Sequence, residues 1–249
     1  MLTAKEIIVQ SIAVYKKNMR LFFHYLLLLL LPISAAILAG VLFTLFFSES
    51  NQTILTTILS AAILIAIYFF SLWITLAFIR AIAFRIQEQP VPHISQELRD
   101  TWPLVIPTLV VSILSGLAIF GGSLLLIVPG IIFSVWFAFS VYPVLLENKR
   151  PIEAMKQSKQ LVTGRWAAVL WRLIAPAILF GIIIIIVEGI FKFFAGFIAN
   201  ELNPNSGLFL VIASLFGLLN AAITLLFTPL TTTAPTLLYL DLKKSRINQ

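Results

Sequence analysis

The sequence predicts an all-α membrane protein: six transmembrane helices with amphipathic interfacial helices on the cytoplasmic face. Three observations lead there. The chain has 249 residues, 60% hydrophobic and 11% charged, whereas soluble domains average roughly 45–50% apolar and about 25% charged residues. Water does not tolerate the apolar surface such a chain would leave, and lipid does. The apolar residues also gather in continuous runs, each long enough to cross a hydrocarbon core about 30 Å thick. Continuous rather than alternating runs exclude barrel strands and leave helices, which satisfy their own backbone N–H and C=O groups. Finally, Lys and Arg fall on alternate connectors between the runs.

The predicted spans are 21–47, 54–86, 102–126, 131–146, 166–199 and 208–240. The first is too long for a signal-peptide core and lies behind some twenty mixed residues, so it reads as a retained helix. Between the third and fourth, Val128-Pro129-Gly130 predicts a turn and hence a tight hairpin; a single re-entrant segment is the alternative. Lys5, Lys16, Lys17 and Arg20 precede the first span. Arg80, Arg85 and Arg99 lie around the second-to-third connector. Lys149, Arg150, Lys156, Lys159, Arg165 and Arg172 surround the fourth-to-fifth, and Lys243, Lys244 and Arg246 follow the sixth. Connectors 48–53, 121–130 and 200–207 carry no Lys or Arg, and of the 17 basic residues only Lys192 departs from the pattern. Cytoplasmic loops carry the basic excess, so both termini are expected in the cytoplasm. The same rule accounts for the net charge of +7 without nucleic acid.

Each odd-numbered span has a polar prelude. In the first, residues 1–20, Thr3-x-x-Glu6 has capping-box spacing, and Ile8, Ile12, Tyr15 and Met19 share one helical face, with Lys5, Lys16 and Lys17 off it. In the second, Ser95 is a plausible N-cap on the way through Leu98 to Trp102. In the third, at about 151–163, Pro151 suits a first helical position and Gly164 a C-terminal stop; Ala154, Ser158 and Leu161 share a face away from Lys156 and Lys159. Such helices lie in the interface, apolar side down and basic side toward headgroups. The pattern suggests three copies of a unit made of an interfacial helix, a span out and a span back; short loops alone also produce such a resemblance. Spans two, five and six are over-long. About 33 helical residues extend roughly 50 Å, so they tilt, kink or protrude. Thr228-Pro-Leu-Thr-Thr-Thr-Ala-Pro235 is the expected break in the sixth, its threonine hydroxyls serving carbonyls that proline leaves free.

From Leu124-Leu-Leu-Ile-Val-Pro-Gly-Ile131 the chain runs through a short span to a lone Glu147, then Ala154-x-x-x-Ser158-x-x-Leu161-x-x-Gly164. This stretch of about forty residues resembles the membrane-domain family joined to some bacterial glycerophosphodiester phosphodiesterases, and that family's stand-alone relatives; the six-span layout matches over the whole chain. The resemblance implies an integral protein of the bacterial cytoplasmic (inner) membrane. It implies no catalysis for these residues. In the fused proteins that activity belongs to a separate soluble domain with metal-binding carboxylates and histidines, for which residues up to Gln249 leave no room.

Cysteine is absent, which excludes disulfides, thiolate metal sites and cysteine nucleophiles. His24 and His93 are the only histidines and stand in no metal-ligand spacing. No cofactor, metal or enzymatic activity is expected. Glu188 and Lys192 are four apart with the glutamate first, the favourable order for an ion pair. Ionisable groups in membranes usually face a partner, a cavity or a substrate path. Glu188 is about 33 Å along its helix from Trp166, which also fits an interfacial pair with Lys192 snorkelling outward. Asn220, Thr224 and Thr228 share one face of span six. The asparagine is expected to hydrogen-bond a neighbouring helix, and the stripe is also a candidate polar route. Arg172, one to two turns inside span five, reads as snorkelling or as holding a lipid phosphate. Ala36/Gly40 and Ser112/Gly116 read as helix contacts, and Trp102 and Trp166 as interfacial anchors.

The resulting expectation is a lipid-engaging accessory or scaffold without a catalytic domain. Its expected partners are anionic headgroups, with another membrane protein as a further candidate. Lys16, Lys17, Arg150, Lys156, Lys159, Arg165 and Arg172 are the headgroup candidates. The alternative is a small transporter or lipid translocator using Glu188, Lys192, Asn220, Thr224 and Thr228.

Overall fold

In a computed structural model, residues 1–46, 54–199, 201–203 and 206–247 are described; Phe47, the 48–53 connector and part of the 200–207 connector lie outside them. The order is α1 (Ala4–Lys17), α2 (Met19–Phe46), α3 (Ile54–Ile86), α4 (Ile94–Thr101), a 3-10 turn (Trp102–Leu104), α5 (Val105–Leu125), α6 (Ile127–Phe137), α7 (Val141–Glu147), α8 (Pro151–Val162), α9 (Trp166–Ala199) and α10 (Gly207–Ile247). The fold is all-α, with six helical stretches long and apolar enough to cross a membrane.

The chain divides into two compact units. Unit 1 comprises Met1–Asn18, Leu76–Leu179 and Leu230–Gln249; unit 2 comprises Met19–Thr75 and Phe180–Pro229. Unit 2 is therefore built from α2 and from parts of α3, α9 and α10. Phe22, Tyr25, Leu26 and Leu29 form its buried stripe on α2, at the spacing of one helical face, and Phe191 of α9 meets Phe216 of α10 edge to face, 6.1 Å between centroids. An apolar groove of about 720 Å³ runs along α2 and α3 beside Ala36, Ala39, Gly40 and Ser60.

Unit 1 holds the rest of the helices. Its aromatic centre is Phe139, Tyr142 and Tyr239, with the two tyrosine rings stacked at 4.9 Å. At its edge α1 opens with the capping box expected from Thr3 and Glu6. The buried residues of α1 are Ile7 and Ser11; Ile8, Ile12 and Tyr15 only flank them, and Met19 is exposed at the start of α2. The inward ridge is thus one residue off the expected face, and on it Ser11 is buried with its hydroxyl donating to the Ile7 carbonyl, 2.7 Å away. His93, not Ser95, caps α4, accepting from the Ser95 N–H.

The third and fourth spans depart most from expectation. Pro129-Gly130 is not the turn. The reversal takes one residue, Leu126, in extended conformation, and Pro129 lies in the first turn of α6, where a missing N–H is harmless. Close packing of α5 on α6 depends on two glycines. A Cβ on Gly130 would fall 3.0 Å from Ser123 Cα, and one on Gly122 would strike the Phe133 ring. A Cβ on Gly40 or Gly116 would meet nothing within 4 Å, so the small-residue pairs expected to make contacts do not. The fourth span is two helices, α6 and α7, broken at residues 138–140. The sixth span is instead unbroken through Pro229 and Pro235. Its Thr236 hydroxyl donates to the Thr232 carbonyl at 2.7 Å.

Candidate functional site

The break between α6 and α7 is where the sequence motif does its structural work. At the break the backbone bonds shorten: Ala138 N–H donates to Val135, Ser140 to Phe137 and Tyr142 to Phe139. A straight helix would pair Phe139 N–H with Val135 and Trp136 C=O with Ser140; here both are orphaned. One hydroxyl on α8 serves both. Ser158 Oγ donates to the Trp136 carbonyl at 2.6 Å and accepts from Phe139 N–H at 3.2 Å. Ser158 is fully buried, as is Ala154, and Leu161 nearly so. Gly164, at φ +84°, supplies the left-handed turn that ends the segment. The Ala154-x-x-x-Ser158-x-x-Leu161 spacing is thus the face of α8 that seals a broken helix.

Glu147 ends α7, followed by Asn148 in the left-handed region at φ 54°. Its carboxylate is a hub. Gln157 Nε2 of α8 donates to both oxygens at 3.1 Å, the Tyr239 hydroxyl donates to Oε1, and Lys243 Nζ lies 3.0 Å and Lys149 Nζ 3.6 Å away. Beside the hub opens a cleft of about 670 Å³ lined in part by Gln10, Gln87, Tyr239, Asp241, Lys243 and Lys244. Leu2 N–H donates to Asp241 at 2.8 Å, tying the amino terminus to α10.

The cationic candidates fall into two groups. Lys16, Lys17, Arg150 and Lys156 are exposed. Lys159, Arg165 and Arg172 are also engaged by the protein. Lys159 Nζ sits 4.2 Å from the centroid of the Trp136 ring. Arg165 donates to the Leu161 carbonyl at 3.0 Å, to Ser245 Oγ at 2.8 Å and to the Leu242 carbonyl at 3.4 Å, so it bolts the α8–α9 junction to α10. Burial first, then the charge of Arg246, hold its guanidinium below the ordinary value, with Asp241 acting against them and Arg172 adding to them. Arg172 reaches the Ala168 carbonyl at 3.3 Å.

The polar-route candidates lie in unit 2. Lys192 Nζ is 2.8 Å from Glu188 Oε2. Thr224 Oγ1 lies 2.5 Å from Glu188 Oε1 and 3.0 Å from the Asn220 carbonyl, so its one proton links α9 to α10 or stays within α10. Thr228 is half-buried one turn on. The side-chain bond expected of Asn220 is not made: its Oδ1 is buried with no partner.

Sequence reasoning missed the buried ion pair of unit 1, Arg80 Nε to Glu97 Oε1 at 2.9 Å, with Glu97 fully enclosed. The signal was an arginine six residues inside the end of an apolar span. It missed the Glu147 hub too, whose partners other than Lys149 lie 10 to 96 positions away. Among the described residues no cluster of three His, Asp or Glu side chains suits a metal. Comparison with family models, curated proteins and solved structures found no match to this chain.

Proposed function

We propose that this chain is a non-enzymatic, lipid-engaging accessory or scaffold of a bacterial cytoplasmic membrane, with both termini in the cytoplasm. The observation that carries the reading is the exposure of Lys16, Lys17, Arg150 and Lys156 on unit 1. Exposed cations next to the ends of apolar spans suit anionic phospholipid headgroups, each contributing roughly 1 kcal/mol near the surface. The same proposal makes the chain a relative of the phosphodiesterase-linked membrane domains, a reading that rests on the spacing of Glu147, Ala154, Ser158, Leu161 and Gly164 in the sequence.

The test is lipid retention by the purified protein, read by native mass spectrometry in mixed phosphatidylglycerol and phosphatidylethanolamine micelles. Wild type is expected to retain phosphatidylglycerol preferentially. Lys156→Gln with Arg172→Gln removes two cations, about 2 kcal/mol, and lowers that preference near thirtyfold. Unchanged preference sinks the headgroup reading.

One observation favours transport as a second reading: Glu188 and Thr224 join α9 to α10, and Asn220 Oδ1 is left unpartnered beside them. If that stripe is a route, proton leak or labelled-lipid exchange in proteoliposomes falls with Glu188→Gln and Asn220→Leu. Flux indifferent to both discards the route.

A further inference from the structure

We infer that α5 and α6 form a re-entrant hairpin whose tip, residues 124–128, ends inside the hydrocarbon of the leaflet on which α8 lies, with the acyl chains of that leaflet as its partner. The chain then crosses the bilayer four times, through α2, α3, α9 and α10.

The argument is one of depth. α8 is a level marker. Lys156 and Lys159 are exposed on it and Arg150 and Arg165 flank it, so it stays at or outside the hydrocarbon boundary. Whether those cations prefer anionic headgroups does not matter here. The hairpin meets α8 about halfway along its own length. Ser158 of α8 bonds the backbone at Trp136 and Phe139. Val111 of α5 clusters with Val144 of α7 and Ala154 of α8, and Ser115 of α5 lies 2.9 Å from Ser140 between their hydroxyls. From the contacts at that level to Leu126 there remain 10 to 15 residues on either arm of the hairpin. At 1.5 Å each they reach roughly 15–22 Å, short of crossing a core about 30 Å thick, and any tilt shortens the reach. Counted from Trp102, α5 has the length of a full span, but its first half is used up before it passes α8.

The tip has the chemistry this depth demands. Leu124, Leu125, Leu126, Ile127 and Val128 are 64–77% exposed, five aliphatic side chains that an aqueous turn would present to water. Lipid demands that non-helical backbone be kept to a minimum. The reversal occupies one residue, and Leu126 uses both its groups, donating to the Gly122 carbonyl at 3.2 Å and accepting from Gly130 N–H at 3.4 Å. Pro129 has no donor to satisfy. Unit 2, which takes α2 and parts of α3, α9 and α10, takes nothing from α5 or α6. The uncharged 121–130 connector then needs no place on the far side.

The chain has no cysteine, so single cysteines report cleanly. Leu126→Cys, and separately Ile127→Cys, would be made in the full chain, with Gln160→Cys on α8 and Asn203→Cys as side markers. In sealed vesicles a membrane-impermeant maleimide is expected to label Gln160→Cys from one side and Asn203→Cys from the other. Neither tip cysteine should label until detergent is added. A bimane attached to the tip in detergent and then reconstituted should be quenched most by lipids brominated near the acyl-chain ends. Labelling of both tip cysteines from the Asn203 side would show a full crossing and overturn the proposal. Labelling from the Gln160 side, or strongest quenching by headgroup-level bromines, would overturn it equally.

Discussion

The two units handle polarity in opposite ways. All the described Ser, Thr and charged residues that are buried, Ser11, Glu97, Thr101, Thr108, Ser115, Ser140, Ser158, Thr233 and Thr236, belong to unit 1. Unit 2 encloses the Tyr25 hydroxyl and Asn220 Oδ1, and its helices turn side chains such as Ile185 and Phe193 outward, each 72% exposed. Lipid tails are as apolar as leucine, so helices in lipid gain nothing from hydrophobic burial alone and are specified by packing and interhelical polar contacts. Unit 1 has many such contacts and unit 2 few. The Arg80–Glu97 and Glu188–Lys192 pairs are the same chemistry placed in these two settings, and they should respond differently to the same operation.

The largest effect is expected at Arg80. Arg80→Met leaves Glu97 enclosed without its counter-charge, a change that typically costs about 3–5 kcal/mol. The double variant Arg80→Met/Glu97→Met removes both charges and should recover most of that loss, since apolar replacement of a buried pair is often neutral. The measurement is the thermal unfolding midpoint in detergent, alone and in a double-mutant cycle. A loss at Arg80→Met no greater than at Glu188→Gln would erase the contrast between the units.

Ser158→Ala comes next. It leaves the Trp136 carbonyl and the Phe139 N–H unmet inside the protein, each worth about 1–3 kcal/mol when orphaned. Ser112→Ala, on the exposed face of α5, should change little. Hydrogen exchange sharpens the test: loss of the cap should speed exchange at residues 138–140 and leave α2 unaffected.

The contrast also explains what the sequence made legible. Length, hydropathy and cation placement need no tertiary partner, so spans such as 54–86 and 166–199 match α3 and α9 to the residue. Local caps were equally readable at Thr3 and Gly164, because both partners lie within a few positions. Pro129-Gly130 was misleading because a turn dipeptide also serves the first turn of a helix, and only the approach of Ser123 and Phe133 reveals that the glycines are there for packing. The break after Phe137 had no local signal of comparable strength; it is made tolerable by a hydroxyl some twenty residues away. Span six was misread for the opposite reason, since two prolines were absorbed without a break. In the candidate site, Glu188 with Lys192 was visible from spacing alone, whereas the Thr224 link and the hold of Arg165 on Ser245 and Leu242 depend on the fold of distant segments.

A smaller effect is expected in unit 2. Glu188→Gln keeps an acceptor for Thr224 and removes only the attraction to Lys192, whose side chain is 61% exposed. Pairs that water reaches contribute about 0.2–1 kcal/mol, so on the interfacial reading of Glu188 the unfolding midpoint should shift slightly, and addition of salt should erase the difference from wild type. A shift as large as that of Ser158→Ala would mean that Glu188 is doing more than closing an exposed pair, and would revive the polar-route reading.

The smallest effect lies at the edge of unit 1, where α1 begins. Thr3 N–H and its hydroxyl donate to Glu6 Oε2 at 2.7 and 3.0 Å, and Glu6 N–H donates to Thr3 Oγ1 at 3.2 Å. These bonds favour the carboxylate, the backbone bond from Thr3 most, and hold Glu6 below the ordinary value of 4.5. A depressed acid stabilises the fold above its unfolded value and loses that contribution as pH falls through the folded one. Protection of the Thr3 amide, corrected for intrinsic exchange, should therefore be constant from neutral pH down to about 4.5 and decline only below it. Glu6→Gln should flatten the profile, because an amide has no charge to lose, while a decline unchanged in that variant would assign the acid sensitivity to another group.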